Sequence, residues 1–317
     1  MAFPRNPASP NPAYPNANGA YPNYSGVFIP EIWSTKIIEK YYDATVLSQI
    51  TNTDYEGEIS SYGDKVIIRT MPTISIRDYR IGEPLQTDFP TATTIELLID
   101  KGKYWQAAID DVVAKQQDIN QMDLWTRDAA EQLKIVLDTE VLAYMPANAA
   151  PANQGAKAGR ISGNINLGTP SAAVAVNRNT ILDLILYMGQ ALDEQNVPED
   201  GRFLVMPFWA TTLLKLSDIR QVDITGDTTS PLRNGMVGMI DRFTIYNSNL
   251  LPINTSGTGD WRSVILAGHR YATTFATQLT KTETIRSERT FGDLIRGLVV
   301  YGYKVIKPEA LAVAYIK

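Results

Sequence analysis

The chain has 317 residues, of which 44% are hydrophobic and 20% charged, so it can bury a real core and is not a wholly disordered polymer. It has no cysteine and one histidine, His269, which excludes disulfides, thiolate metal sites, cysteine nucleophiles and every centre that needs two imidazoles. The net charge of −5 is opposite in sign to that of a dedicated nucleic-acid binder. No apolar run approaches the roughly 18 residues of a membrane helix, and MAFPRNPASP lacks a signal-like stretch, so a soluble chain kept in a cytosol-like compartment is expected.

The first 22 residues hold six prolines, which block helices and sheet ladders. This segment is expected to be an extended arm anchored by Tyr14, Tyr21, Tyr24, Phe28 and Ile29. After Pro30, the spacing of Ile32, Trp33, Ile37, Ile38, Tyr41 and Tyr42 predicts a short amphipathic helix that clamps the arm to a larger body. From Tyr62 to Asp111 the pattern alternates, at Val66, Ile68, Thr70, Ile74 and Ile76, then returns at Thr94 to Ile99 and Tyr104 to Ile109. A long two-stranded hairpin is expected, with RDYRIGEPLQTDFPT as its polar tip. An isolated ribbon is marginal in water, so this one needs a sheet or another molecule to lie across.

Asp118 and Gln121 resemble a capping box opening a long helix over 118–145 that stops at Pro146. At about 1.5 Å per residue it spans roughly 42 Å. Residues 146–178, rich in Ala, Gly, Asn and Pro, read as a loop and a domain boundary. Ile181, Leu184, Ile185, Met188 and Leu192 mark an amphipathic helix, Asp200 and Gly201 a turn, and Arg202 to Met206 a buried strand. A short helix through Leu216 follows. Strands are expected at Phe243 to Tyr246, Val264 to Ala267, Leu298 to Ile306 and Leu311 to Ile316, making the second half mixed α and β.

Signatures of chemistry are absent. There is no GxGxxG after a strand and no GxxxxGK[ST], and a lone histidine cannot form HExxH. His269 is expected to be structural, and Asp54, Glu56 and Glu58 in DYEGE, like Asp110 and Asp111, to be solvated turn residues rather than cation ligands. Trp33, Trp105, Trp125, Trp209 and Trp261 are scattered as core or interface anchors, not as a stacking platform. No catalytic, cofactor-binding or metal-ligating residue is assigned, and no cofactor. Charge is unevenly spread: Asp43 to Met145 carries 18 acidic and 9 basic residues, and Lys281 to Lys307 carries 6 basic and 3 acidic. Opposed potentials of this kind suit complementary faces on copies of one protein.

Four stretches, in this order and spacing, resemble the major capsid proteins of tailed bacteriophages, the Hong Kong 97-like coat protein family. They are IPEIWSTKIIEKYYDATVLSQITNTDYEGEISSYGDKVII, YWQAAIDDVVAKQQDINQMDLWTRDAAEQL, PLRNGMVGMIDRFTIYNSNLLP and AGHRYATTFATQLTKTETIRSERTFGDLIRGLVVYGYKVIKPEALAV. The resemblance implies an α+β, Hong Kong 97-like capsid fold. Its parts would be an N-terminal arm (1–55), an extended β-hairpin loop (56–111), a peripheral domain with the spine helix (112–160 and 281–317) and an axial domain (161–280).

The resemblance also implies a virion subunit, assembled in the host cytoplasm, whose main partner is itself in hexamers and pentamers. Packaged double-stranded DNA would be met by weak non-specific contact, with a portal, a decoration protein and no membrane among the other contacts. The proline-rich start is too short and too poor in helix formers to be a built-in scaffold, so a separate scaffolding protein is implied. Some family members weld subunits through a lysine and an asparagine; Lys101 and Lys103 lie near the loop, but no residue matches that chemistry. Two other functions compete. An encapsulin-like nanocompartment shell would share the fold and enclose a cargo enzyme, and a hydrolase using Ser, Asp or Lys would turn over as a monomer.

Overall fold

The structure, a computed structural model, describes residues 42–43, 45–54, 65–72, 74–82, 84, 86–116, 121–217, 238–255, 261–288 and 290–317. The proline-rich arm and the residues of the expected clamp helix from Ile32 to Tyr41 lie outside the described residues, and its last residue, Tyr42, is not helical; Asp118 also lies outside, while its expected capping partner Gln121 opens the long helix.

Two sheets and a two-stranded ribbon carry the fold. In the ribbon, β1 (Lys65–Arg69) pairs antiparallel with β2 (Thr94–Leu98). In a three-stranded antiparallel sheet, β10 (Gly292–Val305) lies between β3 (Lys101–Asp110) and β9 (Thr273–Arg286). The expected two-stranded hairpin is therefore corrected. Its returning run splits after Leu98: Thr94–Leu98 stays in the ribbon, while the stretch through Tyr104 and Ile109 turns onto β10. Ile74 and Ile76 alternate as a strand would but stand outside the described ladder. Alternation records one buried face, not which strand supplies the partner. The sequence gives no signal for β9, because TTFATQLTKTETIR is mostly Thr and charge, with little apolar alternation.

The second sheet runs β11 (Leu311–Ile316), β8 (Trp261–His269), β4 (Arg202–Met206), β6 (Phe243–Asn247) and β5 (Met239–Ile240), with β7 (Ile253–Thr255) also on β8. All five residues of β4 and all six of β11 are buried, as unbroken apolar runs require. The C-terminal strand thus lies beside 202–269, not beside 281–305. The helices are α1 (Leu47–Ile50), α2 (Asp111–Gln116), α3 (Gln121–Ala147), α4 (Ile181–Asp193) and, after β4, α5 (Phe208–Leu216). Ile181, Leu184, Ile185, Met188 and Leu192 of α4 are buried at i, i+3, i+4 spacing, as the pattern predicts.

The spine helix α3 has 27 residues and runs one residue past Pro146. Proline there removes only the N–H that would reach the Leu142 carbonyl. Asn148 closes the end instead, its Nδ2 donating to Tyr144 O at 2.8 Å and its backbone N–H to Met145 O at 3.1 Å. Leu137, Val141 and Met145, with Asp138 and Leu142, form the stripe that α3 drives into the main core.

Candidate functional site

Between Thr70 and Thr93 the chain leaves the ribbon as an extended loop with no regular secondary structure among its described residues. It displays large apolar side chains to solvent: Met71, Ile74, Ile76, Tyr79, Ile81 and Phe89 are all exposed, from 67% at Ile74 to 99% at Ile76. A soluble protein exposes single apolar residues freely, but a run of them on one projecting loop marks a contact surface. The tip was expected to be polar, and its glycine and prolines do make it a loop. The signal missed was that Tyr79, Ile81 and Phe89 sit among those turn residues with nothing local to bury them.

The loop is rooted firmly. Ile68, Leu97, Ile99 and Ala276 form a small core of their own, with Val66, Ile95, Val300 and Ile306 packed around it. Gly302 of β10 lets this root approach closely: a Cβ there would stand 2.1 Å from the carbonyl oxygen of Leu98. Lys304 Nζ also donates to Glu96 O at 2.8 Å.

A junction joins β3 and β10 to the spine helix. Glu140 accepts from Tyr301 Oη at 2.5 Å and pairs with Lys103, while Lys101 Nζ donates to Tyr303 Oη at 2.8 Å. Tyr303 meets Tyr144 edge-on, with centroids 5.0 Å apart. Burial pushes the Tyr301 phenol up, and the Glu140 carboxylate beside it adds to the shift. Burial would raise Glu140 too, but the bonds from Lys103 and Tyr301 hold it below its ordinary range. Lys101 and Lys103 are thus structural cations of this junction.

The other face of the three-stranded sheet is open. Tyr104 and Leu298 face each other across the register, beside the Gln106, Arg296 and Glu283 row, and line a shallow depression of about 460 Å3. Arg296 donates to Glu283 at 2.7 Å and Lys281 pairs with the same carboxylate, whose pKa the two cations lower, Lys281 foremost. Part of the charge asymmetry expected to act between copies is satisfied within the chain, because Arg286 pairs with Asp111 and, at 3.4 Å, with Asp293.

The segment entering the body is pinned to the spine helix. Tyr42 Oη donates to Asp128 at 2.8 Å, and Asp138 Oδ2 accepts from the backbone N–H groups of Val46 at 2.6 Å and Leu47 at 3.3 Å. Asp138 is almost wholly buried, and desolvation pushes its pKa up against those two bonds. Asn52 then bridges to the start of β9, its N–H on Thr273 O and its carbonyl taking Phe275 N–H.

The remaining candidates have local roles. His269 Nε2 donates to Asp200 O at 2.7 Å and Nδ1 accepts from Tyr271 N–H at 3.2 Å, so the ring ties a turn to a strand end and both nitrogens are engaged. Burial pushes its pKa down. Asp110 Oδ1 accepts from Val112 N–H at the start of α2. Asp54 N–H donates to Asn52 Oδ1 in a local turn, and Glu56 and Glu58 lie outside the described residues. Trp105 lies over Gly297, Trp209 packs on the main core and Trp125 is partly exposed; Trp33 lies outside the described residues, and Trp261 begins β8. No group of three or more His, Cys, Asp or Glu among the described residues is placed to hold a metal ion. No described helix is long and apolar enough to cross a membrane.

The described site is thus an extended, exposed apolar loop rooted on the three-stranded sheet, with no cluster of catalytic or metal-binding groups among the described residues. Residues 93–314 match the phage capsid protein family, and the chain belongs to that family as a major capsid subunit of a phage head. A chain from Mycobacterium phage Che8 is 27% identical, with a TM-score of 0.72 over 92% of this chain and 98% of that one. The capsid of cyanophage P-SCSP1u (14% identical, TM-score 0.71, 92% and 93% covered) and the mature capsid of bacteriophage PhiM1 (15%, 0.66, 91% and 92%) share the fold. No curated protein matches the sequence. The fold is the α+β, Hong Kong 97-like capsid fold, and as a head subunit the protein is a component of the virion.

Proposed function

We propose that copies of this chain close into an icosahedral shell of hexamers and pentamers around double-stranded DNA, with no chemical turnover of their own. The observation that carries this reading is the 70–93 loop, whose six large apolar side chains are exposed on the subunit. Burying a large apolar side chain is worth about 1.5–3 kcal/mol, so docking the loop supplies of order 10 kcal/mol before loss of motion is subtracted. The open face of the three-stranded sheet of a neighbour, with Tyr104 and Leu298, is the surface of matching character.

The arm (1–55) and loop (56–111) act as connectors, 112–160 with the strands from 281 as the peripheral part, and 161–280 as the axial part, which the strand Leu311–Ile316 extends through its pairing with β8. A separate scaffolding protein and a portal guide closure in the host cytoplasm, and a decoration protein has the outer surface available. A net charge of −5 suits a container that must release its genome, because a strongly basic lining would retain DNA. Co-expression with the scaffolding protein tests the reading: the unaltered chain forms shells, whereas Ile76→Asp leaves folded, unassembled subunits. Normal shells from Ile76→Asp would refute docking through the loop.

A further inference from the structure

Backbone pairing between the two limbs of the loop ends early. The ladder closes at Arg69 opposite Thr94, followed by Thr70 N–H on Thr93 O at 2.9 Å and Thr70 Oγ1 on the same carbonyl at 2.8 Å. Beyond it, among the described residues, no backbone hydrogen bond joins the limbs. The Arg77 side chain does: it donates through Nη1 to Gln86 Oε1 and through Nη2 to Asp88 Oδ1 at 2.7 Å. Its position is informative. Arg77 stands eight residues beyond Arg69 and Gln86 eight before Thr94, so the rung keeps the ladder's register, with Asp88 on the diagonal.

That register has a consequence for the apolar residues. Carried along the loop, it sets Ile74 opposite Phe89, with Ile76 two positions further along the same face, and it puts Arg77, Gln86 and Asp88, together with Met71, Tyr79 and Ile81, on the other face. We propose that Arg77 is a positioning residue that holds the two limbs of the loop in register, presenting Ile74, Ile76 and Phe89 together on one face to the neighbouring subunit. The inference rests on the docking reading above. An exposed ion pair contributes little to the stability of the subunit itself. Its effect is on the ensemble of the free loop: a limb pair already in register loses less freedom on docking. Arginine suits the task because its planar fork reaches the amide and the carboxylate at once, which a lysine ammonium does less well.

The chain has no cysteine, so spin labels at Ser75→Cys and Thr87→Cys are unique. In unassembled subunits the distance distribution between them is expected to be narrow, to broaden in Arg77→Ala, and to narrow again when Arg77→Asp is combined with Asp88→Arg. The threshold concentration for shell formation is expected to rise about fivefold in Arg77→Ala and return in the charge swap, with the subunit's melting temperature unchanged. A distribution that Arg77→Ala leaves as narrow as before overturns the proposal. So does a swap that fails to restore the threshold, the result expected if Arg77 served a partner on another subunit. Failure of the docking reading is distinguishable: Ile76→Asp would then leave the threshold untouched, while the label distances still report on the rung.

Discussion

Asp138 shows how a single side chain can contradict the face it sits on. Its place in the buried stripe of the spine helix would suit an apolar residue, yet it holds the N–H groups of Val46 and Leu47. Asp138→Ala leaves two buried donors without that acceptor and is expected to cost about 1–3 kcal/mol in denaturant unfolding, with Asp138→Asn costing less. Because burial raises the carboxyl's pKa, its contribution is fully present below the ordinary carboxylate range and is lost as pH rises through the raised value. Glu194 has the opposite sign. Burial works against its charge, but N–H groups of Ile161 and Ser162, at 2.7 and 3.1 Å, and further bonds from the Ser162 and Gln190 side chains hold its pKa at about 2. Its contribution is present above the ordinary value of 4.5 and lost as pH falls toward about 2, so Glu194→Gln should flatten that part of a stability profile against pH. Gly297 is fixed by a neighbour: a Cβ there would lie 2.3 Å from Trp105 Nε1. Gly297→Val is expected to displace the indole and lower stability by about 1–3 kcal/mol, read as a fall in melting temperature.

At the scale of elements, legibility followed burial. The helix Ile181–Asp193 and the strands β4, β6, β8 and β11 are visible in the sequence because each buries a periodic or continuous apolar set in one core. The partner of a half-buried strand is not encoded locally, so the sequence places Lys101–Asp110 with the hairpin and gives no signal for β9. The contact surface was hidden for a related reason: Ile76 and Phe89 satisfy nothing within one chain, so their role emerges only when the loop is seen unburied. The glutamate and tyrosine junction at Glu140 likewise pairs residues 161 positions apart in sequence. The spine helix tests its own account. Leu142 is fully buried and Leu133 only partly, so Leu142→Ala should cost about 2–5 kcal/mol in chemical denaturation and Leu133→Ala less. Equal costs would show that the buried stripe has been placed on the wrong side.

For the whole molecule, the described residues bury a large core but leave the apolar side chains of the 70–93 loop exposed, and the chain belongs to a phage capsid protein family. On the proposed reading, assembly is the condition under which those side chains are buried, and weak contacts suffice when each is repeated around a closed lattice. The most direct measurement is a reconstruction of shells formed by the unaltered chain with its scaffolding protein. The account predicts Ile74, Ile76 and Phe89 buried against the three-stranded sheet of an adjacent subunit. A shell in which those side chains remain in solvent, or fold back onto their own subunit, would contradict it.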